Sequence, residues 1–245
     1  MRHAFLMNVH KDVEQAVRTC ELLLKYFPNS WRIAYYDGAS ADLILNLRYS
    51  CSFLTTASYE PRKYSSIMNA LNNTMATASQ QRIDVASFLH SDMIPMDPWT
   101  FERFLDRFLR SGKMMSACAM WPGSNLLDFC NLHFNVRAAM DAGLFLIQPT
   151  DGLEGNQDFN ESHFTRHLHR VFPKWRDESY ELRSVVVPFT DQYKQVKDDG
   201  VQEVIAVKQT HGLEESFTFH NYTPETSVVR SNDQVFWGGY ERMVR

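Results

Sequence analysis

The stretch that decides the fold is RIDVASFLHSDMIPMD, Arg82 to Asp97. Ile83, Val85, Ser87, Phe88 and Leu89 form a short run of strand character. The run stops at His90-Ser91-Asp92. After Met93, Ile94 and Pro95, the chain carries the signature of a helix start, with Asp97 as N-cap and Pro98 in the first helical position. A buried strand therefore delivers a carboxylate, Asp92, to its C-terminal tip just before the chain turns. In open α/β sheets ligands bind outside that tip. A carboxylate there is suited to a divalent cation, which in turn can hold a diphosphate. An aspartate after a strand is also an ordinary turn residue, so the surroundings have to decide.

Upstream, the chain alternates strand and helix. His3 to His10 is apolar on both faces, as a buried parallel strand is. Asp12 then caps a helix in which Val13, Ala16, Val17, Cys20, Leu23, Leu24 and Phe27 recur at helical spacing. Trp31 to Tyr36 is the second strand, closed by Asp37-Gly38. The three segments make a β-α-β unit with a right-handed crossover. It brings Asp37 to the same sheet edge as His10 and Asp92. An acid there could bond a ribose or a base; a turn aspartate before glycine is the competing reading. A short helix from Ala41 to Tyr49 and a strand from Ser52 to Ala57 follow. A long helix, Ser65 to about Gln81, has Ile67, Met68, Leu71, Met75 and Ala78 on one face. Arg62 and Lys63, just before it, are either reaching for a phosphate or a solvated charge pair.

Downstream, Trp99, Phe101, Phe104, Leu105 and Phe108 are an aromatic core stripe on a helix from Pro98 to Arg110. Lys113 to Trp121 and Asn131 to Arg137 read as strands, and Ala138 to Gly143 as a short helical turn. Pro149 to Asn160 is an acidic, glycine-containing loop, and Glu161 to Phe172 is a helix. His163 and His167 share a face of that helix at i and i+4. With no carboxylate pattern and no HExxH, they argue weakly for zinc. Glu181 to Thr190 and Val201 to Thr210 read as strands, and the tail from Phe217 has no clear periodicity, as in a flap or partly ordered extension.

The composition bounds the function. A chain of 245 residues, 44% hydrophobic and 22% charged, is ordinary for a globular protein with a sizeable core. The net charge of −4 argues against binding nucleic acid through bulk electrostatics. No segment is long and apolar enough to span a membrane, and the first ten residues show no signal peptide. None of Cys20, Cys51, Cys118 and Cys130 is spaced as CxxC, so they read as small core residues rather than a redox pair or zinc knuckle. That usage suits a reducing, cytoplasmic setting, with work at a membrane surface left open.

Three stretches together resemble glycosyltransferases of the GT-A fold: the opening FLMNVHKDVEQAV, the central IDVASFLHSDMIPMDP, which resembles the family's strand-plus-DxD site, and the acidic GNQDFNESHF. The resemblance covers residues 1 to about 175. It implies an α/β fold, a single GT-A-like, Rossmann-like domain over residues 1–245 with a central mixed, mostly parallel sheet flanked by helices. Within it, residues 1–110 would form the nucleotide-sugar half, 111–215 the acceptor half and 216–245 a C-terminal extension. It also implies transfer of a sugar from a nucleotide-diphosphate sugar to a glycan or lipid-linked hydroxyl, with Mn2+ or Mg2+ as cofactor. Asp92 stands where the last DxD acid does, and His90 replaces the first. His211 would be a further metal ligand, with His220 its rival. Val9, His10, Lys11, Asp37, Lys63 and Ser91 would meet the nucleotide sugar, and Asp158 or Glu161 would be the base. Some GT-A enzymes lack DxD and neutralise the diphosphate with Arg and Lys, so metal independence stays open. Two other readings compete. A nucleotidyltransferase is disfavoured by the lack of glycine in NVHKDVEQ, and a non-catalytic transferase-like module is favoured by His90.

Overall fold

β1 (His3–Val9) is the strand on which the sheet is built, and every residue in it but Asn8 is buried. It is followed by α1 (Val13–Tyr26), β2 (Trp31–Tyr36), α2 (Ala41–Ser50), β3 (Phe53–Thr56), α3 (Ser66–Gln80), β4 (Val85–His90), β5 (Met93–Pro95) and α4 (Pro98–Arg110). Next come β6 (Met115–Ala119), β7 (Leu127–Asn135), α5 (Val136–Asp141), α6 (Asn160–Val171), β8 (Val186–Val187), β9 (Phe219–His220) and β10 (Val228–Arg230). This computed structural model describes residues 1–9, 13–38, 41–56, 66–91, 93–95, 98–119, 127–145, 160–175, 179, 186–187, 219–220 and 228–230.

The main sheet runs β3-β2-β1-β4-β7-β6. β1 pairs in parallel with β2 and β4, and β2 with β3. β7 is antiparallel to both β4 and β6. This is the mixed, mostly parallel α/β sheet that the resemblance implies. Side chains alternate across it, because successive residues of a strand point to opposite faces. Ala4, Leu6, Ile33, Ala86, Phe88, Leu132 and Phe134 share a core with Met68, Leu71 and Met75 of α3 and Phe164 and Leu168 of α6. On the other face Phe5 stacks on Phe101 of α4 at 5.9 Å and meets Phe27 edge-on at 5.1 Å. The aromatic stripe of α4 is therefore a core face: Phe101, Phe104, Leu105 and Phe108 are all buried.

That second face also encloses a polar chain. His3 Nδ1 lies 2.9 Å from Ser30 Oγ, and His3 Nε2 lies 2.9 Å from Ser87 Oγ. Ser87 Oγ in turn lies 2.8 Å from His133 Nδ1. All four residues are buried, and Phe101 and Phe104 pack against the His133 ring at 5.5 and 5.0 Å. Burial pushes the pKa of both imidazoles down to about 3; at His3 the neighbouring His133 adds to the effect. Both rings are neutral in the fold. Serine hydroxyls satisfy both ring nitrogens of His3 and Nδ1 of His133.

The helix ends follow from local chemistry. α3 closes in a Schellman motif: Ile83 N donates to Ala78 O at 3.0 Å and Arg82 N to Ser79 O at 2.9 Å. Arg82 takes the left-handed position, φ +55°, which glycine occupies more easily. The same motif ends α5 with Gly143 at φ +69°, where Leu144 N bonds Ala139 O and Gly143 N bonds Met140 O.

The structure refines the sequence expectations at several points. The strand expected to run to Arg137 ends at Asn135, whose side chain accepts from Ala138 N at 3.2 Å and caps α5. Met93-Ile94-Pro95, to which the sequence pattern assigns no element, is a strand. It belongs to a second sheet, β5-β10-β9-β8, in which β10 runs antiparallel to β5. Part of the tail is thus paired, which agrees with the partly ordered extension rather than the flap. Cys20 and Cys51, read as small core residues rather than a redox pair, are buried and half-buried with their sulfurs 3.6 Å apart. The expected strand at residues 201–210, the loop from 149 to 159 and the capping residues Asp12 and Asp97 lie outside the described residues.

Candidate active site at the carboxyl edge of the sheet

β1, β2, β3 and β4 all point their C-terminal ends to one edge, because they are parallel. The registers fix what meets there: Asn8 is opposite Tyr35 on one side and His90 on the other, and Val9 and Thr56 both flank Tyr36. Asp37 N donates to Val9 O at 3.2 Å, so the ends of β1 and β2 are tied together. Asp37 is buried. Ser91, half-buried, is the turn residue after β4. The strand order reverses at this point: β2 and β3 lie to one side of β1, whereas β4 lies to the other. Such a switch point opens a crevice outside the strand ends, where ligands bind in doubly wound sheets.

Val9, Asp37, His90 and Ser91 are therefore neighbours along one edge. Asp92 lies outside the described residues, between Ser91 and the first residue of β5. His10, Lys11, Lys63, Asp158 and His211 also lie outside them. Glu161 is the second residue of α6, in its first turn. His220, the rival to His211, is in β9, opposite Val228 and Val186.

Sequence reading missed two positions. Asn8 is the only residue of β1 that is not fully buried, and it stands between β2 and β4 at the edge. An amide in an otherwise apolar strand was the available signal. Arg230 is in register with Met93, one residue past Asp92. No local pattern could have revealed it, since the pairing joins distant parts of the chain.

Two of the α6 histidines, His167 and His169, are engaged within the fold. His167 Nε2 donates to Leu144 O at 2.9 Å, and Arg170 donates to His167 Nδ1 at 3.1 Å. Both ring nitrogens are thereby engaged, which leaves none for zinc. Trp175 Nε1 donates to His169 Nδ1 at 3.3 Å. Among the described residues no three His, Cys, Asp or Glu side chains group closely enough to hold a metal ion, and no described helix is long and apolar enough to cross a membrane.

No protein-family model and no curated protein matches the sequence. The solved structures that align with the chain include nucleotide-sugar glycosyltransferases. A glycosyltransferase involved in the glycosylation of the major capsid of PBCV-1 is 10% identical, with a TM-score of 0.46 over 99% of this chain and 98% of that one. The glycosyltransferase GlyE of Streptococcus pneumoniae TIGR4 is 13% identical, TM-score 0.48, over 99% of this chain and 62% of that one. A mannosyltransferase of Pyrobaculum calidifontis, solved with GDP-Man and Mn2+, is 8% identical, TM-score 0.46, over 85% and 64%. The likeness is one of general layout, and neither donor nor acceptor follows from it.

Proposed function

We propose that the chain is a glycosyltransferase that moves a sugar from a nucleotide-diphosphate sugar to a hydroxyl on a glycan or lipid-linked acceptor. The observation that carries this reading is the convergence of Val9, Asp37 and His90-Ser91 at the switch point of the sheet, with Asp92 next in the chain. Asp37 is suited to the ribose or base, and Val9, His10, Lys11, Lys63 and Ser91 to the rest of the donor.

The donor set at 90–92, an imidazole and a carboxylate completed by diphosphate oxygens, fits a borderline-hard divalent ion such as Mn2+. Asp92 would hold it, with His90 and either His211 or His220. Bound there, the ion would supply Lewis-acid stabilisation of the leaving diphosphate. The protein's own part is to fix the donor and to take a proton. As the acceptor oxygen bonds to the anomeric carbon, the bond from that carbon to the diphosphate breaks, and the acceptor proton passes to a carboxylate. Asp158 or Glu161 fills that role if the anomeric centre inverts.

Thermal-shift measurements with UDP, GDP, CMP and dTDP, each with and without Mn2+, test the reading. A nucleotide at about 100 times its Kd raises stability by about 2.7 kcal/mol. A Mn2+-dependent shift with one nucleotide would support the transferase and name its donor class. A shift without metal would support an Arg/Lys-neutralised site and remove Asp92 as a ligand. No shift with any of the four would overturn the proposal in favour of a non-catalytic module.

A further inference from the structure

Cys20 and Cys51 lie 31 positions apart in sequence, yet their sulfurs are 3.6 Å apart and both thiols are free. Cys20 is fully buried in the middle of α1, whereas Cys51 is half-buried one residue past the end of α2. A groove of about 340 Å3 runs between these helices; neither cysteine lines it. Glu21 and Ser50, the chain neighbours of the two cysteines, form part of its wall with Val17 and Tyr49. Tyr49 is 86% exposed, so the groove opens to solvent. Cys51, partly exposed, is the outer of the two thiols, and Cys20 is the buried one next to it. A disulfide needs its sulfurs at about 2.05 Å, so the two must close from 3.6 Å.

We propose that Cys20 and Cys51 form a reversible oxidation site, closing to a disulfide by exchange with a low-molecular-weight disulfide such as glutathione disulfide. Cys51, as its thiolate, attacks one sulfur of glutathione disulfide. That S–S bond breaks, and one glutathione leaves as a thiolate and takes up a proton. Cys20 then gives its proton to solvent and attacks the Cys51 sulfur. The second glutathione leaves and is protonated in turn. Two protein thiols are oxidised by two electrons, and one glutathione disulfide is reduced to two glutathiones. The hydrogen bond with Cys51 and burial hold the Cys20 thiol well above its usual pKa, so the closing step quickens as pH rises. Cys118 and Cys130 lie on β6 and β7, at the far end of the sheet from β2 and β3. The site is independent of the reaction proposed for the sheet edge.

The test is incubation of the native full-length protein with glutathione disulfide, followed by acid quench, intact-mass measurement and a non-reducing tryptic map. The expected product has lost two hydrogens and links peptide 19–25 to peptide 49–62. Dithiothreitol should restore the starting mass. In Cys20→Ala the expected product is a glutathione adduct that persists on Cys51, and Cys51→Ser should show neither product. Three results would overturn the proposal: a persistent glutathione adduct on Cys51 of the native protein, a crosslink that uses Cys118 or Cys130, or an unchanged mass.

Discussion

Acidification should weaken this fold through two particular imidazoles. His3 and His133 are fully enclosed and neutral, with pKa values lowered to about 3, chiefly by burial. In the unfolded chain both return to about 6.5. Below that value the unfolded state takes up protons that the folded state refuses, so it binds more protons and gains free energy as pH falls. Stability is therefore intact above pH 7 and is lost progressively as pH drops from about 6.5 toward 3. Between about pH 7.5 and pH 5 each imidazole costs about 2 kcal/mol, and the pair about 4 kcal/mol, by linkage. The figure depends little on the depth of the shift, since any folded-state pKa well below 5 gives nearly the same loss. Urea denaturation at the two pH values measures it directly, and NMR of the histidine ring protons should show neither ring titrating in the folded protein above pH 5. The aspect specific to this chain is shown by His133→Phe, which is less stable at neutral pH but should lose about 2 kcal/mol less on acidification. A ring that titrates near 6.5 in the native protein, or a His133→Phe variant as acid-sensitive as the parent, would mean that these imidazoles are not the source of the acid lability.

Further outcomes are expected at other positions. Asp92→Ala should abolish sugar transfer while leaving the unfolding midpoint unchanged; retained transfer would take Asp92 out of the site. Glu161→Gln and Asp158→Asn, assayed separately, should identify the base: the correct one loses turnover and keeps donor binding. Phe101→Ala removes a ring packed against Phe5, Phe27, Phe104 and both buried imidazoles, and should cost about 3–5 kcal/mol in urea denaturation. Arg82→Gly should raise stability by about 1 kcal/mol, because a left-handed φ strains arginine and not glycine, and Gly143→Ala should lower it by a similar amount.

The main sheet was legible because its signals are local. A largely apolar opening strand, a capped amphipathic helix and a second strand leave one physical solution, a parallel β-α-β unit with both faces covered. The aromatic stripe of α4 was readable for the same reason, since its spacing alone puts Phe101, Phe104 and Phe108 on one face. The second sheet was not legible. β5 and β10 have three residues each, too few for a period to appear, and they are joined by a pairing that no spacing rule anticipates. The buried chain from Ser30 to His133 escaped for a related reason: each member looks ordinary in its own strand or turn, and only the sheet register brings them together.

That difference bears on how the proposed site works. The proposed nucleotide side of the edge is set by β1, β2 and β4, six or seven residues long, with β1 paired to both others, so the backbone at Val9, Asp37 and His90 is held by the main sheet. The segment that holds Asp92 is flanked by β5, whose pairing partner is a short strand from the C-terminal end. A change in the tail can therefore reach the proposed metal position through the backbone. Arg230→Pro would test this. Proline removes any backbone donor at that residue and so disfavours the β10 pairing opposite Met93. If β10 supports Asp92, the variant should lose Mn2+-dependent nucleotide binding while the main sheet keeps its unfolding midpoint. Undiminished metal-dependent binding would show that Asp92 is held by β4 alone.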